Sequence, residues 1–209
     1  MAVRGWVLGL AVASLALGAG CSSAPKQSHT AVTASPTPIE RLNTGSMRLA
    51  QTPFCSRLSD AALRDALASK KLSGVKATRW GNGDKADVET GLDDVVHEIG
   101  CRWSHDQSSA SAWVFARSTT AQQAQAVVAD SGRHRGCRAA TTGVSFGSPS
   151  VRQACRLSDG TRRVRVAGLF GATWLSCEVA APGATPARDV RERADAWCVQ
   201  VANALNTTR

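Results

Sequence analysis

The sequence predicts an α+β fold: an antiparallel sheet covered by helices and stabilised by disulfides. Three observations predict it. Stretches of helical and of strand periodicity follow one another as helix, strands, helix, strands, helix. A hairpin signal at Asp159-Gly160 and a break at Gly171 separate the later strands, which implies antiparallel neighbours. Six cysteines spread downstream of an apolar N-terminal run have the even count of an exported, disulfide-bonded domain. Of the 209 residues, numbers 54–209 are read as one domain, long enough to bury a core.

The first helix is expected to start after Ser59 as N-cap, with Leu58 and Leu63 spaced as a hydrophobic staple. It runs to about Lys71, with Gly74 as the stop. The second starts at Thr119, where Gln122 completes a capping box. Its apolar face is Ala121, Ala124, Val127 and Val128, and Gly132 ends it. The third follows Thr185-Pro186, a cap and an N1 proline. Val190, Ala194, Trp197, Cys198, Val201 and Leu205 then fall on one face.

Strands fill the gaps between helices. Val95, His97, Ile99, Cys101 and Trp103 share one parity and therefore one sheet face. Ser111 to Arg117 makes a second strand, and 151–157, 163–170 and 173–180 make a later group. Gly81-Asn82-Gly83 reads as a turn, since no strand-to-helix context surrounds it. Trp103 and Trp197 sit beside cysteines and are expected in the core; Trp174 packs under a helix or lines a groove.

The N-terminus has the grammar of an export signal. Arg4 precedes an apolar run from Trp6, and small residues lead to Cys21 through Leu17-Gly18-Ala19-Gly20. This resembles a lipobox, with Gly18 where leucine is usual. Residues 1–20 are read as the signal peptide and Cys21 as the lipidated residue. Secretory cleavage near Ala24, or retention as an uncut anchor, are the alternatives. Residues 21–53, rich in Ser, Thr, Ala and Pro, are read as a disordered tether.

With Cys21 set aside, Cys55, Cys101, Cys137, Cys155, Cys177 and Cys198 remain. Their wide spacing, with no Cys-x-x-Cys, argues for disulfides and against zinc. Fifteen pairings are open. Pairing between neighbours in sequence is favoured, and the strand-to-helix order favours Cys137–Cys155 and Cys177–Cys198.

Phe54-Cys55-Ser56-Arg57-Leu58-Ser59-Asp60-Ala61-Ala62-Leu63, followed by Cys101-Arg102-Trp103, resembles a pattern in an uncharacterised family of secreted actinobacterial lipoproteins. That family carries an early cysteine before a short helix, then Cys-x-Trp on a strand. The resemblance spans most of residues 54–205. It implies export, a tether and a first disulfide, Cys55–Cys101, and it implies no activity. A more distant likeness is to extracellular sensor domains of actinobacterial receptor kinases.

Catalytic constellations are sparse. The chain contains no His-Glu-x-x-His, Gly-x-Ser-x-Gly, phosphate loop or dinucleotide fingerprint. His97 is expected in the core or at its rim, and His105 at a solvated strand end. The acidic residues Asp84, Asp87, Glu89, Asp93, Asp94 and Glu98 lack the order of a calcium loop and are read as a solvated loop. No metal, cofactor or nucleic-acid partner is expected.

Charge is the strongest surface signal. Residues 133–165 hold eight arginines against Asp159, and loss of Arg4 with the leader leaves +8 of the chain's +9. Arg152, Arg156, Arg163 and Arg165 are expected together on one solvent face, as an anion-binding candidate. The expected function is therefore a lipid-anchored protein on the extracytoplasmic face of the cell membrane. Its domain binds or scaffolds without catalysis, with anionic lipid, a cell-wall polymer or an envelope protein as partner. The alternatives are a secreted enzyme acting on cell-wall material, with His97 or His134 required, and a carrier of lipid or another apolar ligand.

Overall fold

The structure, a computed structural model, describes residues 37–89 and 92–208. The elements are α1 (Asp60–Leu67), β1 (Lys76–Trp80), β2 (Lys85–Glu89), β3 (Leu92–Val95), β4 (Glu98–His105), β5 (Ser108–Phe115), α2 (Ala121–Ser131), β6 (Cys137–Ala140), β7 (Ser150–Arg156), β8 (Arg162–Phe170), β9 (Thr173–Ala181) and α3 (Ala187–Leu205). Seven strands form one antiparallel sheet in the order β1-β4-β5-β9-β8-β7-β6, and β2 pairs with β3 as a separate ribbon. This is the α+β arrangement expected from the element order.

The central strand β9 is buried along its whole length because helices cover both sides of the sheet. On one side α3 and α1 pack over Cys101, Trp103, Ala112, Val114, Val166, Leu175 and Cys177. Trp197 of α3 meets Trp103 edge to face at 5.6 Å, and its indole N–H donates to the Ser111 carbonyl at 2.9 Å. On the other side α2 sets Ala124, Val127 and Val128 against Val151, Ala167, Leu169 and Trp174. Trp174 thus packs under a helix.

The described residues contain three disulfides: Cys55–Cys101, Cys137–Cys155 and Cys177–Cys198. The first joins the turn before α1 to β4, and the third joins β9 to α3. The second links residues paired directly across β6 and β7. Each constrains the unfolded chain and stabilises the domain by about 2–4 kcal/mol.

Several expectations need correction. Residues 37–53 do not behave as tether: Ile39, Met47 and Leu49 are buried in the main core. Leu49 bridges Asn206, the Ala50 N–H donates to the Leu205 carbonyl, and the Thr173 hydroxyl donates to the Leu49 carbonyl. These apolar residues dock singly, with no period to reveal them. Cys21 and residues 21–36 lie outside the described residues.

Helix α1 ends at Leu67, where Ala68 takes the left-handed conformation, so it stops short of Lys71. The Ser59 cap stands, its hydroxyl accepting from the Ala62 N–H at 3.2 Å. The capping box of α2 is Thr120 with Gln123, one residue later than expected. Pro186 occupies the N-cap of α3 instead of N1. The strand that carries Trp103 begins at Glu98, while Val95 belongs to β3 and His97 is exposed. Part of the acidic stretch forms the β2–β3 ribbon instead of a loop. Strands β1 and β6 carry too few apolar residues to be visible as periodicity.

Candidate functional site

Directly paired residues on antiparallel strands share a sheet face. In the β7–β8 pairing, Arg152 opposes Val166 and Gln153 opposes Arg165, while Cys155 opposes Arg163. Arg163 and Arg165 therefore share the α2 side of the sheet, and Arg152 and Arg156 lie on the α3 side. The expected single face of four arginines does not form. Parity within each strand was right. The register between the strands, set by the 157–161 turn, decided which parities met.

On the α3 side, Arg152 is spent within the fold. Its Nη2 donates to Asp195 Oδ1 at 2.7 Å, with side chains 13% and 16% exposed. Burial raises the Asp195 pKa, and the Arg152 bond opposes that rise without cancelling it. Arg156 is exposed near the sheet edge.

The α2 side carries a polar row that crosses six strands in register: Thr78, Arg102, Ser111, Glu178, Arg165 and Gln153. Glu178 is buried at its centre, 5% exposed. A buried carboxylate needs hydrogen bonds and opposite charge. The Ser111 hydroxyl donates to its Oε1 at 3.2 Å, Arg102 lies 3.8 Å from Oε1, and Arg163 lies 3.9 Å from Oε2. The end of α2 closes the far side of the row: Gln153 donates to the Ser131 carbonyl at 2.6 Å, and Arg165 to the Ser131 hydroxyl at 3.3 Å. Arg102 and Arg163 remain partly open to solvent, with side chains 44% and 31% exposed.

Beside this row the sheet surface is aromatic. Gly100 pairs with Trp80 on β1 and Trp113 on β5. A Cβ at Gly100 would meet the Trp80 ring, Trp113 Cβ and the Ala112 carbonyl, each at 2.7 Å. The absence of a side chain at Gly100 leaves room for the Trp80 ring.

Among the described residues, two cavities bear on function. The larger, about 650 Å³, is an open cleft bounded by the end of α1, the β4–β5 turn and the start of α3. Lys70, Asp106, Asp189 and Arg193 supply its charged lining, with His105 beside Asp106. The smaller, about 250 Å³, lies by His97, Glu98, Phe115, Arg117 and Gln123. There burial raises the Glu98 pKa, partly opposed by His97.

The histidines do not converge. His97 Nδ1 is 3.4 Å from Asn82 Oδ1, His105 pairs with Asp106 at 3.3 Å, and His134 pairs with Asp130 at 3.7 Å. Among the described residues, no group of three or more His, Cys, Asp or Glu is placed to hold a metal ion, and no helix is long and apolar enough to cross a membrane.

Sequence reasoning missed Glu178, Arg102 and the whole cleft. Glu178 left one trace, a carboxylate inside the otherwise uncharged run Thr173–Ala181. The cleft left none, because its charged residues come from three separate parts of the chain.

No family model matches the chain, and no curated protein matches it. Among solved structures, the chain is similar to the extracellular domain of PknH from Mycobacterium tuberculosis, at 13% identity and a TM-score of 0.41. The match covers 74% of this chain and 99% of that one. At that score the likeness carries no argument about function.

Proposed function

We propose that this chain is an exported, lipid-anchored envelope protein whose disulfide-bonded domain binds an anionic envelope component without catalysing a reaction. The observation that carries the reading is the pair of partly exposed arginines around Glu178. Arg102 and Arg163 converge on one buried carboxylate and keep part of their surface in solvent. Two guanidinium groups, Arg102 and Arg163, stand against one glutamate, so the local charge is positive. The signal grammar before Cys21 supports export and lipidation. Pairing of the other six cysteines, which leaves Cys21 as the odd one, supports the same compartment. The dense packing of Trp103, Trp197 and Leu175 between sheet and helices favours surface binding over carriage of an apolar ligand.

Two experiments test the reading. Metabolic labelling with a lipid precursor should mark the wild type and not Cys21→Ala; equal labelling of both removes the anchor. Co-sedimentation with vesicles rich in anionic lipid should be strong at low salt and weaken as salt screens the contact. Arg102→Glu with Arg163→Glu should abolish it. Absence of binding at low salt, or unchanged binding by the double variant, counts against the anionic partner.

A further inference from the structure

The cleft between α1, the β4–β5 turn and α3 is separate from the polar row, and its chemistry differs. We propose that it binds a zwitterionic ligand of peptide type, with the ligand carboxylate at Arg193 and Lys70 and its ammonium at Asp106. The inference does not rest on the function proposed above.

Four observations carry it. First, the volume of about 650 Å³ falls in the range of small-ligand sites and far exceeds what a lone inorganic anion fills. Second, Arg193 is left incompletely satisfied. Its Nε and Nη2 are buried without a hydrogen-bond partner among the described residues, and burial lowers its pKa against the attraction of Asp189. A guanidinium held in poor solvation beside a cleft gains more from an incoming carboxylate than a solvated one does.

Third, the lining mixes charge signs: Lys70 and Arg193 against Asp106 and Asp189. A purely anionic ligand would meet two carboxylates, and a purely cationic one would meet two cations. A ligand carrying both charges satisfies both sets. Fourth, both non-glycine residues with positive φ among the described residues, Ala68 (50°) and Asp106 (52°), line this cleft. Such backbone is costly for L-residues and concentrates at ligand sites. At Ala68 it ends α1 and turns the chain toward Lys70. At Asp106 it sets the carboxylate at the tip of the two-residue β4–β5 turn.

The test is calorimetric titration of the full chain in detergent with the dipeptide alanyl-alanine, its N-acetyl form, its C-terminal amide and orthophosphate. The free dipeptide should bind, and each blocked form should bind about tenfold more weakly, as expected when one charge-assisted contact is lost. Arg193→Gln should weaken the free dipeptide and leave the amide unchanged. Asp106→Asn should weaken the free dipeptide and leave the N-acetyl form unchanged. Arg193 is partly buried, so if Arg193→Gln fails to fold, Lys70→Gln, at an exposed position, replaces it with the same expected pattern. Equal binding of orthophosphate and dipeptide would make the cleft a plain anion site and overturn the proposal. So would indifference to blocking either end, or no binding of the dipeptide up to about 10 mM.

Discussion

The docking of residues 37–53 makes Ile39→Ala an informative substitution. If these residues were tether, the change would be a surface event worth less than about 0.5 kcal/mol. In the structure Ile39 is 2% exposed and belongs to the same core as α3. Truncating a buried isoleucine to alanine costs about 2–5 kcal/mol, in proportion to how little the site can collapse. Ile39 sits on a short 3-10 turn at the periphery of the domain, where relaxation is easier, so about 2–3 kcal/mol is expected. With a urea m value of about 2 kcal/mol per molar, the midpoint should fall by roughly 1–1.5 M. The assay is equilibrium unfolding in urea with disulfides intact, followed by fluorescence of the buried Trp103 and Trp197. Leu49→Ala, at 7% exposure, should give a shift of similar size from a second point on the same segment. A midpoint change below about 0.3 M for both variants would mean that the segment is not docked and that the domain begins near Phe54.

Other substitutions probe the remaining layers. A Cβ on Gly168 would overlap the Phe146 carbonyl oxygen and press on Ser150 Cβ at 3.1 Å; since backbone cannot yield as a side chain does, Gly168→Ala should cost about 3 kcal/mol or more in the same assay. Gln123→Ala should lower the melting temperature by removing half of the α2 capping box, worth about 1 kcal/mol, whereas the exposed Gln122→Ala should leave it unchanged. The folded pKa of Asp195 lies above its ordinary 3.8, so its contribution is fully present below that value and is lost as pH rises through the folded pKa. Arg152→Ala removes the bond that opposes this rise. The variant should therefore match wild type most closely near about pH 3 and fall below it by roughly 1–3 kcal/mol at neutral pH. A deficit independent of pH would mean that Arg152 stabilises by packing alone.

How much was legible in the sequence follows from which signals are local. The third helix could be read because six apolar residues recur on one face, and all six are buried. The cap of α1 was legible because Ser59 and the Leu58–Leu63 staple lie within six residues of each other. The one-residue slip at α2 has a similarly local cause: Thr119-Thr120 followed by Gln122-Gln123 offers two capping boxes. Thr119 is drawn away by its N–H bond to the Ala172 carbonyl, which leaves Thr120 to cap. The β2–β3 ribbon escaped notice because its residues are charged where periodicity needs apolar ones.

By itself the sequence determined the α+β class, the strand–helix order and the even set of cysteines that suits an oxidising compartment. Those properties rest on periodicity and composition, which are written along the chain. Tertiary structure alone decided that the arginines of β7 and β8 part company, that Glu178 sits buried among Arg102, Arg163 and Ser111, and that Lys70, Asp106 and Arg193 line one cleft. Register flips whole rows of side chains from one face to the other, and spatial neighbours drawn from distant segments leave no mark on sequence spacing.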